Sequence, residues 1–286
     1  MSNHDQVSAE APDAWALKLP RTFRALRHRN FRLYWFGQLF SLTGSWMQNV
    51  AQGWLVYRLT DSPFALGLVG FVGSLPVLFF SLFGGVTADR FPKRNLLLAT
   101  QVAALLQALL LATLTVTGLI QVWQIIFLAL LLGTVHAFDT PARQSFVIEL
   151  VGKEDLMNAI ALNSSLFNAT RVIGPAMAGV LIAAVGNEAW VFYINAASFL
   201  TTITSLLLMR LKATNHSNDE TVWKNLVEGL RYIKQTPMVR TLLSLIAVSS
   251  LFGMSYASLM PVFARDILEV GSTGLGFLTA AIGAGA

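Results

Sequence analysis

Two stretches of this chain, Ser62–Ala88 and Asn95–Phe138, contain no Asp, Glu, Lys or Arg, and only Asp89-Arg90-Phe91-Pro92-Lys93-Arg94 lies between them. A hydrocarbon core about 30 Å thick is crossed by about 20 apolar helical residues. The first stretch is long enough to cross once, and the second twice if it turns at Gly118. Backbone inside lipid must satisfy its own hydrogen bonds, which an apolar run achieves as a helix. The expected fold class is therefore all-α, a polytopic membrane protein in which residues 89–94 form a tight surface turn. Composition agrees: 12% of residues are charged, against about 25% in ordinary soluble domains.

The same reading along the chain gives spans near Leu33–Tyr57, Phe64–Ala88, Leu96–Thr117, Val122–Thr140, Asn158–Val185, Ala189–Met209 and Thr241–Phe263. An eighth begins near Gly274 and is expected to be cut short at Ala286. Four regions follow: a cytoplasmic tail and basic surface segment (1–30), an N-terminal six-helix bundle (31–209), a cytoplasmic connection with an interfacial helix over Thr221–Gln235 (210–240), and the truncated start of a second bundle (241–286). Ser145–Met157, with Glu149, Lys153, Glu154 and Asp155, reads as an inner loop or surface helix. Lys18–Arg32 reads as a short amphipathic helix, and no cleavable signal peptide precedes it.

Lys and Arg fix the expected orientation. Seventeen of the twenty fall in the tail, the 89–94 turn, the segment after the fourth span, or the 210–240 connection. Arg58 and Arg265 lie on the other side, and Arg171 lies inside a span. Positive residues concentrate on the cytoplasmic side of membrane proteins, so the N-terminus is expected there. The clustering of positive charge between apolar runs sets topology and argues against a nucleic-acid partner. With no cysteine and only four scattered histidines, the chain offers no disulfide, thiolate chemistry or metal centre. It also has no phosphate-binding Gly-rich loop and no nucleophile elbow, so no enzyme and no cofactor is expected.

Polar residues inside spans mark candidate sites, because lipid penalises them unless they face protein or water. In the first span Gln38, Ser41, Ser45, Asn49 and Gln52 recur at spacings of three and four, giving one polar helical face. His136 and Asp139 are neighbours on the fourth span, with Arg143 four residues beyond Asp139. Arg171 sits near mid-membrane on the fifth span and shares its face with Ser164 and Asn168. Gln38, Ser45, Asn49, Gln52, His136, Asp139, Ser164, Asn168 and Arg171 are the expected translocation path, with Gly174, Pro175 and Gly179 as a helix-bend motif.

With that pattern in place, Gly85, Asp89, Arg90, Lys93 and Arg94 resemble the loop 2–3 signature of the major facilitator superfamily. One spacer is missing, and Pro92 stands where the family has Gly. Arg171-Val172-Ile173-Gly174-Pro175-Ala176-Met177-Ala178-Gly179 resembles, in shortened form, the Gly-Pro signature of drug:proton antiporters. Phe31–Trp35, Gln52–Tyr57, Asp139–Gln144 and Asn158–Asn163 are similar to the bacterial branch of enterobactin-exporter-like and macrolide-efflux-like proteins. The basic residue usual in the family's fourth span is absent from Val122–Phe138, and Arg171 is the residue placed to take over part of its role. The resemblance implies a secondary active transporter of the bacterial inner membrane. It would export a drug or siderophore-like small molecule by alternating access, as an antiporter with protons as coupling ion, and act as a monomer. The loop motif would be its gate. A non-transporting sensor or scaffold on the same fold is the alternative.

Overall fold

The computed structural model describes residues 20–211, 231–253 and 255–285. The N-terminal tail up to residue 19 and most of the expected interfacial helix lie outside these residues. Among the described residues the structure is helical, with no strand.

A 3-10 helix, Arg21–Arg27, leads into α1 (Arg29–Thr60). Then follow α2 (Pro63–Arg90), α3 (Lys93–Val116), α4 (Val122–Val151), α5 (Leu156–Val185) and α6 (Ala189–Leu208). After the connection come α7 (Pro237–Gly253), short helices at Ser255–Ser258 and Met260–Val262, a π-helical turn at Phe263–Ile267, and α8 (Gly271–Ala284). Five helices, α2 to α6, are long and apolar enough to cross a membrane. The longest, α1, has 32 residues, carries the polar face, and packs against α5 and α6.

The breaks between helices have local causes. Asp61 takes a left-handed conformation and ends α1, while the Ser62 hydroxyl accepts from the Ala65 N–H with Pro63 at the first turn of α2. Pro92 separates α2 from α3 because it cannot extend the preceding helix. Gln121 and Gln124 cap the start of α4 reciprocally. Gly152 and Gly186, both at φ 71°, end α4 and α5 in a region that a Cβ disfavours.

α4 differs from the sequence reading. It runs through Pro141 to Val151, so the segment expected as a loop or surface helix begins as about two further turns of the same helix. Phe146, Val147, Leu150 and Val151 pack into a core with Phe31, Tyr34, Leu97 and Leu206, and this burial holds the helix together past its proline. Within the described residues, the expected surface helix over Lys18–Arg32 is a 3-10 helix from Arg21 to Arg27 and then, after His28, the start of α1. Of the expected seventh span, the described residues are helical up to Gly253 and again over Ser255–Ser258, with a turn at Leu259 before Met260–Val262.

Helices in lipid gain little from burying apolar surface against each other, so close approach rests on small residues. α2 and α4 meet where a Cβ on Gly84 would fall on the Ala137 carbonyl and a Cβ on Gly133 on the Gly73 carbonyl. α1 and α6 meet at Gly44, where a Cβ would stand 2.6 Å from Asn195 Oδ1. α5 and α8 meet at Gly179 and Gly276, and at Gly283, where a Cβ would stand 2.8 Å from the Arg171 carbonyl oxygen. Two of these carbonyls share an origin. Pro141 and Pro175 lack the N–H groups that Ala137 and Arg171, four residues earlier, would otherwise bond.

Candidate functional site

One end of the bundle gathers the basic residues. Lys93 is buried and donates to Glu149 Oε1 at 2.5 Å, tying the start of α3 to α4. Arg94 donates to the carbonyls of Leu206 and Leu207 at 2.7 and 2.9 Å, closing the C-terminal end of α6. Asp155 accepts from Arg24 at 2.7 Å and pairs with His28 at 2.8 Å. Of the expected gate residues, Lys93 and Arg94 are thus engaged within the first six helices. Asp89 and Arg90 are exposed at the end of α2. A Cβ on Gly85 would meet open space, while its neighbour Gly84 is the residue pressed against α4.

The opposite end is organised differently. Arg58 makes two parallel hydrogen bonds, each 2.9 Å, to the buried carboxylate of Glu188, joining α1 to the start of α6. Beside it, Asp61 pairs with Arg265 at 2.6 Å, and the Tyr57 hydroxyl donates to Asp266. Arg265 also lies 5.3 Å from the centroid of the Tyr57 ring. The hydrogen bond to Asp61 pushes the Arg265 guanidinium still further above its ordinary range, so it stays charged. Residues 57–61 belong to the end of α1 and residues 265–266 to the turn before α8. These four side chains therefore clasp the first six helices to the segment that follows the connection.

Between the two ends lies a cavity of about 150 Å3, lined from α1 by Leu42, Ser45, Trp46, Gln48 and Asn49, from α4 by Leu132 and His136, and by Phe167, Asn195 and Phe199. Its floor is a neutral amide network. Asn195 donates to Gln48 Oε1 at 2.7 Å, and Gln48 donates to Gln107 Oε1 at 3.1 Å, linking α6, α1 and α3. Trp46 and Phe167 stack edge to face at 5.6 Å, and the Arg171 guanidinium lies over Trp46 at 5.9 Å. One turn from His136, Asp139 is buried and accepts from Thr100 at 2.7 Å, from Gln101 at 3.0 Å, and from Arg143. A buried carboxylate with three donors, one of them cationic, is satisfied.

Of the expected path residues, Ser45, Asn49 and His136 line the cavity and Arg171 reaches it through Trp46. Gln38 is buried in α1 and Gln52 half-buried, both outside the lining. Ser164 and Asn168 are exposed on α5. Gly174 packs against Thr43 and Trp46 of α1, and Gly179 against α8, so the bend motif faces two neighbours at once. Gln48, Gln107 and Asn195 were not singled out by the sequence, because their meeting depends on tertiary structure. The signal that could have found them is an amide in each of three spans.

A bundle of membrane-length helices around a cavity with a few polar residues in an apolar lining, with further helices clasped at one end, defines a multi-pass membrane fold. The chain belongs to the major facilitator superfamily, in its exporter-like branch: the family model for transmembrane secretion effectors matches residues 21–286. It is 29% identical over 82% of its length to the staphyloferrin A transporter of Staphylococcus aureus and 30% identical over 87% to the multidrug efflux pump Tap of Mycolicibacterium fortuitum. It is 27% identical over 91% of its length to the enterobactin exporter EntS of Shigella boydii. The chain spans 59%, 63% and 62% of these three relatives. Its fold is similar to a bacterial homologue of the lysosomal transporter Spinster in an inward-facing, unoccupied conformation, with TM-score 0.67 and 14% identity over 89% of this chain and 60% of that one. The nucleoside transporter NupG gives 0.65 at the same identity, over 90% of this chain and 63% of that one.

Proposed function

We propose that this chain forms part of a secondary active transporter that exports a small molecule across the bacterial inner membrane by alternating access. The observation that carries this reading is the cavity between α1, α4, α5 and α6, with Ser45, Asn49, His136 and Asn195 in an otherwise apolar lining, in a bundle tied at one end by the clasp between α1 and the turn before α8. The basic end is the cytoplasmic one, because positive residues concentrate there. The contacts in the structure then belong to the inward-open state: the clasp and the α5–α8 seam are made on the outer side. Opening outward breaks the clasp and brings the exposed Asp89 and Arg90 against the far part of the protein. The same loop motif thus serves as the inner latch.

His136 carries the coupling proton in this reading, since it lines the cavity while Asp139 is already committed to Arg143, Thr100 and Gln101. The relatives, two siderophore transporters and a multidrug pump, support a small-molecule cargo. The test uses the intact protein in proteoliposomes with an imposed proton gradient and a panel of siderophores and dyes. Gradient-driven accumulation of one of them is expected, with a rate whose pH dependence flattens in His136→Gln. A gradient-independent flux, or none, overturns export. An unchanged pH profile in His136→Gln removes it as the proton carrier.

A further inference from the structure

No carboxylate lines the cavity, and Arg171, itself outside the lining, lies over its Trp46 wall. Asp139 is the only carboxylate inside the described membrane-length helices away from their ends, and Arg143, Thr100 and Gln101 occupy it. Toward the ends, Glu149 is paired with Lys93, Asp155 with Arg24 and His28, Glu188 with Arg58, and Asp61 with Arg265. Arg171 stands at the middle of the 30-residue α5, and among the described residues no carboxylate is paired with it. Its guanidinium lies over Trp46, whose ring is also a cavity wall. His136, on the opposing helix, is neutral or positive and adds no negative charge. A guanidinium at membrane depth is costly without a counter-charge, and an indole face compensates it only in part. Its planar fork of N–H donors matches a carboxylate or a pair of phenolate oxygens.

We infer that Arg171, Trp46 and Phe167 form a recognition site for an organic anion, a carboxylate or phenolate carried on a planar apolar body. The anionic oxygens pair with Arg171 while the planar body packs among Trp46, Phe167 and Phe199. Gln48, Asn49 and Asn195 supply neutral hydrogen bonds that do not discriminate charge. Organic cations are rejected, because each would bring a second positive charge to Arg171, and among the described residues no acid stands beside it to balance that charge. As a statement about cargo this rests on the export reading; as a statement about binding it does not.

The test is equilibrium binding to the intact protein in nanodiscs, with salicylate, its uncharged amide salicylamide, and ethidium as probes. Salicylate is expected to bind at least about tenfold more tightly than salicylamide and to be unaffected by ethidium. Arg171→Gln should erase the difference between salicylate and its amide, Arg171→Lys should retain most of it, and Trp46→Phe should weaken both probes together. The inference is overturned by equal binding of the two probes, by ethidium competing with salicylate, by no saturable salicylate binding, or by a folded Arg171→Gln protein that still prefers salicylate. Charge-selective binding without gradient-driven flux would leave this site standing and remove export; flux without charge preference would do the reverse.

Discussion

Both ends of the bundle carry ion pairs within the first six helices, Arg58 with Glu188 at one and Lys93 with Glu149 at the other, but only one end reaches across the connection. At the basic end the pairs are inward-looking: Lys93 with Glu149, Arg24 and His28 with Asp155, and Arg94 on the last carbonyls of α6 all join elements of the first six helices. At the other end Asp61 and Tyr57 reach across to Arg265 and Asp266, beyond the connection. Burial separates the clasp from the pairs within the bundle, in each of which at least one partner is buried: Glu188 at 2% and Asp155 at 11% exposed. The Lys93 side chain is 9% exposed, whereas Asp61 and Arg265 are 70% and 41% exposed. Charges that maintain a bundle can be buried for good, while charges that must part during a cycle are better kept wet, where the desolvation to be recovered is small.

That contrast can be broken most severely below the cavity, at a pair that belongs to the permanent class. Asp139→Ala leaves Arg143 buried without its counter-charge and should cost about 3–5 kcal/mol of stability, read as a large drop in the midpoint of thermal unfolding in detergent. Next, Gly84→Leu forces a side chain onto the Ala137 carbonyl and should cost about 1–3 kcal/mol by overpacking the α2–α4 seam. Lys93→Ala removes the buried basic-end pair and should cost about 1–2 kcal/mol through the partner it leaves unsatisfied on Glu149. The clasp should behave otherwise. Asp61→Ala with Arg265→Ala should leave the melting midpoint nearly unchanged. It should still raise, by roughly twofold or more, the labelling of a cysteine placed at Gly53, which faces Pro261. The chain has no cysteine of its own, so that label is unambiguous. A clasp variant that melts early while labelling like the parent would erase the distinction between the two ends. High salt should mimic the clasp variant and spare the basic end.

What could be read from the sequence was whatever repeats along one helix. The charge-free runs and basic clusters gave the helices, and the spacing of four put Arg143 on Asp139 as the structure does. Arg171 was legible because a lone charge at mid-span stands out. The rest required partners distant along the chain. Gln48 meets Gln107 and Asn195 on two other helices, and nothing in the local pattern of α1 ranks Gln48 above Ser45 or Asn49. Asp61 and Arg265 are both visible as loop charges, but their pairing depends on how α8 comes to rest against α5. The loop motif shows the same limit: Gly84 and Gly85 look alike in sequence, and the direction of α4 decides which of them is pressed against it.

The carbonyls of Ala137 and Arg171, left without helical partners by Pro141 and Pro175, are the points against which Gly84 and Gly283 come to rest. Such a contact joins backbone to backbone, with no side chain threaded into a hole on the other helix. What binds it is a Cα–H pointing at an oxygen, a contact worth about 0.5–1 kcal/mol. A surface of that kind acts as a bearing: it sets the distance between two helices and resists their slipping only weakly. One bearing lies inside the first bundle, and the other lies beside Arg171, where α8 leans on α5. A tilt of α8 about that second bearing would load or release the distant clasp, and it would do so at the depth of the proposed anion site.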